Sequence, residues 1–227
     1  MEILTFILSV APSILLIIYT KNKSNYNKQP TSILVKLFFY SMLTAIPTIV
    51  CEELFQSGYT NVIKSNNFLS TVVFYIFGVG LVEEFFKFVV LYLVTKFNDK
   101  YFKCLYDGII YSVCAALGFA VLENLIYTFI YFSDEGLSTA LFRAIEPGHF
   151  LFSIFMGIFF AEAKKYENNN QNEYIKYIIL TVAIPSIIHG LFDALTNIPI
   201  LFLIFVIALY IFAFKQIKKK ANTIFFI

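Results

Sequence analysis

The chain has 227 residues and a formal net charge of +2; 59% of its residues are hydrophobic and only 14% are charged. A soluble domain carries about 25% charged residues, so the composition excludes one and points to an all-α, polytopic transmembrane helical bundle. Seven spans of about 20 residues with short connections use up this length, so a single membrane-embedded domain, 1 to 227, is expected, with no separate soluble part.

In chain order, the first apolar stretch is Leu4 to Tyr19. It has no basic residue before it, its lysines follow it, and no small-residue cleavage site is apparent, so it reads as a retained span and not as a signal peptide. Leu34 to Val50 is the second span. Glu52 to Phe68 is polar and aromatic enough to be an external loop or an interfacial helix, without chemistry that can be named. The third span is Ser70 to Thr95, the fourth Asp107 to Phe132 and the fifth Leu141 to Ala163. The segment Glu167 to Glu173 is a solvated linker, and Tyr177 to Leu195 and Pro199 to Phe214 complete the set. Basic residues alternate between the two sides of these spans. Lys21, Lys23, Lys28 and Lys36, then Lys96, Lys100 and Lys103, then Lys164, Lys165 and Lys176, then Lys215, Lys218, Lys219 and Lys220 fall on one side, 14 of the 17 in the chain. Lys64 and Arg143 fall on the other. By the positive-inside rule the N-terminus is outside and the C-terminus cytoplasmic. Cys51, Cys104 and Cys114 include no CxxC and read as packing residues. No internal repeat is visible, which speaks against a transporter built from two similar halves.

The third span carries Glu83, Glu84 and Lys87 near its middle. An ionisable side chain at the centre of a spanning helix costs roughly 2.5 to 3.5 kcal/mol on insertion scales, so such residues mark functional sites by default. Lys87 is four residues from Glu83 and three from Glu84 and can reach either, while the two glutamates point about 100° apart, so one acid can be paired while the other works. On the fourth span Glu123 shares a face with Ala116 and Ala120, small residues that allow close helix contact, with Phe119 beside it. By the 1.5 Å rise per residue Glu123 lies about 14 Å from the outer end of its span and Glu83 about 20 Å from that of its own. Asp107 and Asn124 read as local hydrogen-bonding or boundary residues. His149 follows Glu146-Pro147-Gly148, where proline either kinks the fifth span or starts it. His189 and Asp193, one helical turn apart, share a face, so the acid can orient the imidazole or both can meet a common ligand. Burying all these groups separately would be costly, so one shared hydrated cavity is expected.

Glu83-Glu84-Phe85-Phe86-Lys87 resembles the EExxK motif of the PrsW family of bacterial intramembrane proteases, part of the larger group that includes the CAAX-processing proteases. Phe119 to Glu123, followed by Asn124, resembles that family's FxxxE element, and His149 and His189-Gly190-Leu191-Phe192-Asp193 resemble its two histidine motifs. The resemblance runs from about Phe74 to Asp193, in order, within a motif-bearing core of about 70 to 195. It implies an endopeptidase in the bacterial cytoplasmic membrane that cuts a single-pass membrane protein of the anti-sigma-factor type, and no nucleic-acid partner.

Peptide hydrolysis inside a bilayer needs a hydrated pocket, a base or metal to activate water, and a donor for the developing oxyanion. Glu83 or Glu84 is expected to act as the base and Glu123 to position water or a metal, with His149 and His189 as metal ligands or oxyanion donors. Asp193 would orient His189, with Lys87 and Asn124 in support. If zinc is bound, its ligands are expected to be His149, His189 and Glu123; no HExxH occurs, and the spacing leaves metal and metal-free mechanisms both open. The rival readings are a proton- or ion-coupled transporter or channel and a non-catalytic membrane binding or immunity protein, since buried acids and histidines also mark ion pathways.

Overall fold

The computed structural model of the chain describes residues 2–24, 29–62, 67–145 and 147–221. Lys28, Lys64 and Glu146 lie outside the described residues. Among these residues there is no strand, and the helices are α1 (Glu2–Asn22), α2 (Thr31–Val62), α3 (Phe68–Phe74), α4 (Leu81–Lys96), α5 (Leu105–Ile126), α6 (Gly136–Ile145), α7 (Gly148–Tyr166), α8 (Gln171–Leu195) and α9 (Pro199–Ala221). Among the described residues, six helical segments are long and apolar enough to cross a membrane. The expected third span is a further continuous helical segment, in which α3 passes through a π-helical turn, Tyr75–Gly80, into α4. The protein is a multi-pass membrane protein, and large apolar side chains such as Ile3, Leu15, Leu43, Leu203 and Ile211 cover its outer faces.

Local chemistry sets the helix starts. Asn67 accepts the backbone N–H of Ser70 at 2.8 Å, and Asn170 accepts that of Glu173 at 3.2 Å, satisfying donors that a first turn leaves open. At the start of α5 the carboxylate of Asp107 accepts the backbone N–H groups of Lys103 and Cys104 at 2.7 and 2.9 Å, and the Gln29 amide at 2.6 Å. Asp107 is thus the boundary residue its position suggests, remote from the acids of α4.

Two expected boundaries are corrected. Glu52 to Val62 is neither loop nor separate helix but the continuation of α2 past Pro47. The aromatic residues that made it look interfacial have partners on α3: the Tyr59 hydroxyl donates to the Ser70 carbonyl at 2.7 Å, and the ring of Phe74 lies 5.3 Å from Tyr59 and 6.0 Å from Phe55. The fifth span begins at Gly148 and not at Leu141, because Pro147 is the N-cap of α7 and the preceding residues form the separate helix α6. Proline suits the beginning of a helix and breaks its interior.

The centre of the bundle is α5, in which every residue from Leu105 to Val121 is buried. It packs on α1, α2, α4 and α7, while α8 lies against α7, α4 and the π-helical turn. Glycine sets the last of these contacts. A Cβ at Gly190 would stand 2.5 Å from the Cα of Ile76, and one at Gly80 would stand 2.5 Å from the carbonyl oxygen of Ser186. Neither neighbour can yield, because both are backbone. Gly190→Ala should therefore cost about 1 to 3 kcal/mol by overpacking. Thermal unfolding in detergent followed by circular dichroism checks this, and an unchanged midpoint would contradict so close an approach.

Candidate active site

The backbone contact between α8 and the π-helical turn brings His189 onto the acidic pair of α4. π-Helical turns insert a residue into an α-helix and are frequent at functional sites. This one immediately precedes the turn that carries Glu83 and Glu84, and a second, Tyr127–Tyr131, follows Glu123 and Asn124 on α5.

Lys87 holds the middle of the cluster. Its ammonium lies 2.9 Å from Glu83 Oε2, 2.7 Å from Glu84 Oε1 and 2.9 Å from His149 Nδ1. An ammonium has three N–H donors, and here each has an acceptor. Both glutamates are therefore paired at once, in place of the expected alternation in which one is paired and the other free. The physical reason is that a long lysine stem can sit between two side chains that leave the helix about 100° apart. Phe119 flanks the charge, with its ring centroid 4.4 Å from Lys87 Nζ, a cation–π contact.

Because Lys87 donates to His149 Nδ1, that nitrogen is an acceptor and the proton resides on Nε2, which donates to Glu123 Oε2 at 2.5 Å. The imidazole thus spans the two depths read from the sequence. Glu123 Oε2 also accepts from Arg143 Nη2 at 2.8 Å, and Arg143 Nε donates to Asn124 Oδ1 at 2.5 Å. Asn124 in turn donates to the Ser9 carbonyl, tying α5 to α1. His189 repeats the pattern of His149. Its Nδ1 lies 3.2 Å from Glu84 Oε1 and its Nε2 3.5 Å from Asp193 Oδ2, with the ring stacked on Phe152 at 4.5 Å. Every expected site residue, Glu83, Glu84, Lys87, Glu123, Asn124, His149, His189 and Asp193, falls in this one network.

A cavity of about 290 Å³ adjoins the cluster. Glu83, Glu123, His149, His189 and Asp193 line it, and it extends to the helix ends at Pro147 and Thr196. Glu84 does not line it; that side chain lies behind Glu83, fully buried. Two charged lining residues, Arg143 and Glu52, are not singled out by the sequence. Arg143 was read as an ordinary basic residue of an external segment, although its place on the side with few basic residues was a signal. Glu52 was assigned to a segment without chemistry, and its position just beyond an apolar run was the hint available.

Four donors, one atom each from Glu83, Glu84, His149 and His189, lie within 4.8 Å of one another and are all buried. Two imidazoles with two carboxylates match the ligand chemistry of a catalytic divalent metal. Each imidazole also has its other nitrogen against a carboxylate, Glu123 or Asp193, the arrangement that orients metal-ligating histidines. Glu123, expected among the ligands, stands outside this group because it meets the far nitrogen of His149. The Lys87 ammonium now bonds to three of these donors, so a divalent ion would take acceptors that Lys87 holds. The residues present fit a metal ion.

A family model described as PrsW family intramembrane metalloprotease matches residues 29–216. Protease PrsW of Clostridioides difficile (strain 630) is 31% identical over 98% of this chain and 93% of its own length. Protease PrsW of Bacillus subtilis (strain 168) is 28% identical over 94% of each chain, and that of Geobacillus kaustophilus (strain HTA426) is 31% identical over 81% of this chain and 76% of its own. No solved structure matches the chain.

Proposed function

The chain belongs to the PrsW family of intramembrane metalloproteases and is a peptidase, and from that membership we propose that the buried Glu/His cluster hydrolyses a peptide bond of a membrane-anchored protein. The observation that carries this reading is the paired orientation of the two histidines: Nδ1 of His149 accepts from Lys87 and lies 3.7 Å from Glu83, Nδ1 of His189 lies 3.2 Å from Glu84, and Nε2 of each faces a carboxylate. Packing alone would not require both rings to be held at both nitrogens.

Glu83 is the base in this reading. It lines the cavity, whereas Glu84 does not and serves through Oε1 to hold Lys87 and His189. Glu83 takes a proton from a water in the cavity as the water oxygen attacks the scissile carbonyl carbon. Glu123 fixes the tautomer and plane of His149, and Asp193 does the same for His189. Arg143, bound to Glu123, adds positive charge to the cavity wall where an oxyanion develops. If a divalent metal is bound, Glu84, His149 and His189 would hold it, leaving Glu83 as the base, and it would supply Lewis-acid polarisation of the carbonyl and activation of water.

The substrate is a single-span protein of the anti-sigma-factor type, and the membrane is the bacterial cytoplasmic membrane, with the N-terminus outside and the C-terminus inside. The cut then falls in the outer half of the substrate's span, because the cavity runs toward the ends of α5 and α8 and the start of α7, which this orientation puts outside. Reconstitution of the purified protein with single-span substrates tests the whole reading. Mass spectrometry of the products should place the new termini on the outer side. A chelator should abolish the cleavage and added divalent metal restore it. A cut on the cytoplasmic side would refute the orientation, and cleavage indifferent to the chelator would leave a metal-free glutamate mechanism.

A further inference from the structure

The acids that line the cavity differ in their company. Glu83 accepts from Lys87, Glu123 accepts from Arg143 and His149, and Asp193 stands 3.5 Å from His189 Nε2. Glu52 has no such neighbour. Its side chain lines the same cavity from α2, yet its Oε1 is buried without a hydrogen-bond partner among the described residues. A buried carboxyl oxygen without a partner costs free energy unless a ligand meets it or the group keeps its proton. Glu53, the next residue, is exposed, so the helix face that meets the cavity is the one carrying Glu52.

We propose that Glu52 is a further catalytic residue, the general acid that protonates the nitrogen of the departing amine. The proposal rests on the protease reading and deepens it. Hydrolysis of an amide needs a group that takes a proton from water and a group that gives one to nitrogen. The other acids lining the cavity are acceptors toward a lysine, an arginine or an imidazole, whereas among the described residues no hydrogen bond or ion pair holds Glu52, so its carboxyl group can act as a donor. As water attacks, one of its protons passes to Glu83 and its oxygen bonds to the carbonyl carbon. The C–N bond then breaks with its electron pair on nitrogen, and that nitrogen takes the carboxyl proton of Glu52. The carboxylic acid product keeps the water oxygen, the amine product keeps the proton from Glu52, and the proton on Glu83 returns to Glu52 through cavity water. No other reactant is consumed.

The test compares two substrates of the full-length protein in vesicles, one single-span peptide with its natural scissile amide and one with an ester at that bond. An alkoxide leaves far more readily than an amide anion, so ester cleavage depends little on an acid at the leaving atom. Glu52→Gln should lower kcat on the amide about 10²-fold or more while leaving KM unchanged, the size expected for loss of a general acid. Cleavage of the ester should be nearly preserved, so the amide-to-ester rate ratio falls by the same factor. Glu52→Asp should recover part of the amide rate. The ratio does not depend on how much protein is folded, so a lowered thermal midpoint in either variant leaves the outcome readable. An unchanged ratio, whether both rates hold or both fall together, would overturn the proposal, as would an effect confined to KM. Failure of the unsubstituted protein to cleave either substrate would instead refute the protease reading.

Discussion

Glu83→Gln should lower cleavage by at least about 10²-fold, the usual contribution of a general base, while the protein accumulates normally. Gln has nearly the volume of Glu, and its amide oxygen can still accept the Lys87 N–H now bonded to Glu83 Oε2. What disappears is the ability to take a proton from water. Glu84→Gln should cost less activity, because Glu84 does not line the cavity and its Oε1 serves to hold Lys87 and His189. Rates on a reconstituted single-span substrate, alongside protein levels in the membrane, decide the matter. Full cleavage by both single variants and by the double variant would remove the catalytic role from this pair.

Lys87→Met should destabilise the fold by about 3 to 5 kcal/mol, the cost of removing one partner of a buried ion pair and leaving the other without compensation. The effect is large here because one side chain, itself 0% exposed, neutralises two glutamates and also fixes the protonated nitrogen of His149. Lys87→Arg should not rescue it, since a planar guanidinium cannot direct three separate N–H bonds from the position of one nitrogen. Adding Glu84→Gln to Lys87→Met should restore part of the stability, because one of the two stranded charges is then gone. Thermal unfolding in detergent, followed by circular dichroism because the chain has no tryptophan, measures all three. A midpoint in Lys87→Met equal to that of the unsubstituted protein would contradict a neutralising role.

Pattern and composition alone made the membrane class and most helices legible, since a bilayer demands about 20 consecutive apolar residues and tolerates charge only where it has a use. For the same reason Glu83, Glu84, Glu123, His149, His189 and Asp193 stood out from their apolar surroundings, and the likeness of their order to a known family followed from spacing along the chain. Helix geometry even placed Lys87 within reach of both acids. What a linear reading lacked was the third dimension of each contact. That Lys87 bonds both glutamates and His149 together depends on α7 being brought to α4 across α5. That His189 meets Glu84 depends on two glycines letting backbones touch. Glu52 and Arg143 were passed over because they lie near the ends of apolar runs, where a charge is ordinary for a sequence. Only the continuation of α2 past Pro47, and the folding of α6 over the cavity from the break at Pro147, turn those two charges inward. Hydropathy is a property of neighbours along the chain and so determined which segments cross the membrane, whereas a site assembled from seven helices depends on tertiary packing, which the sequence does not display.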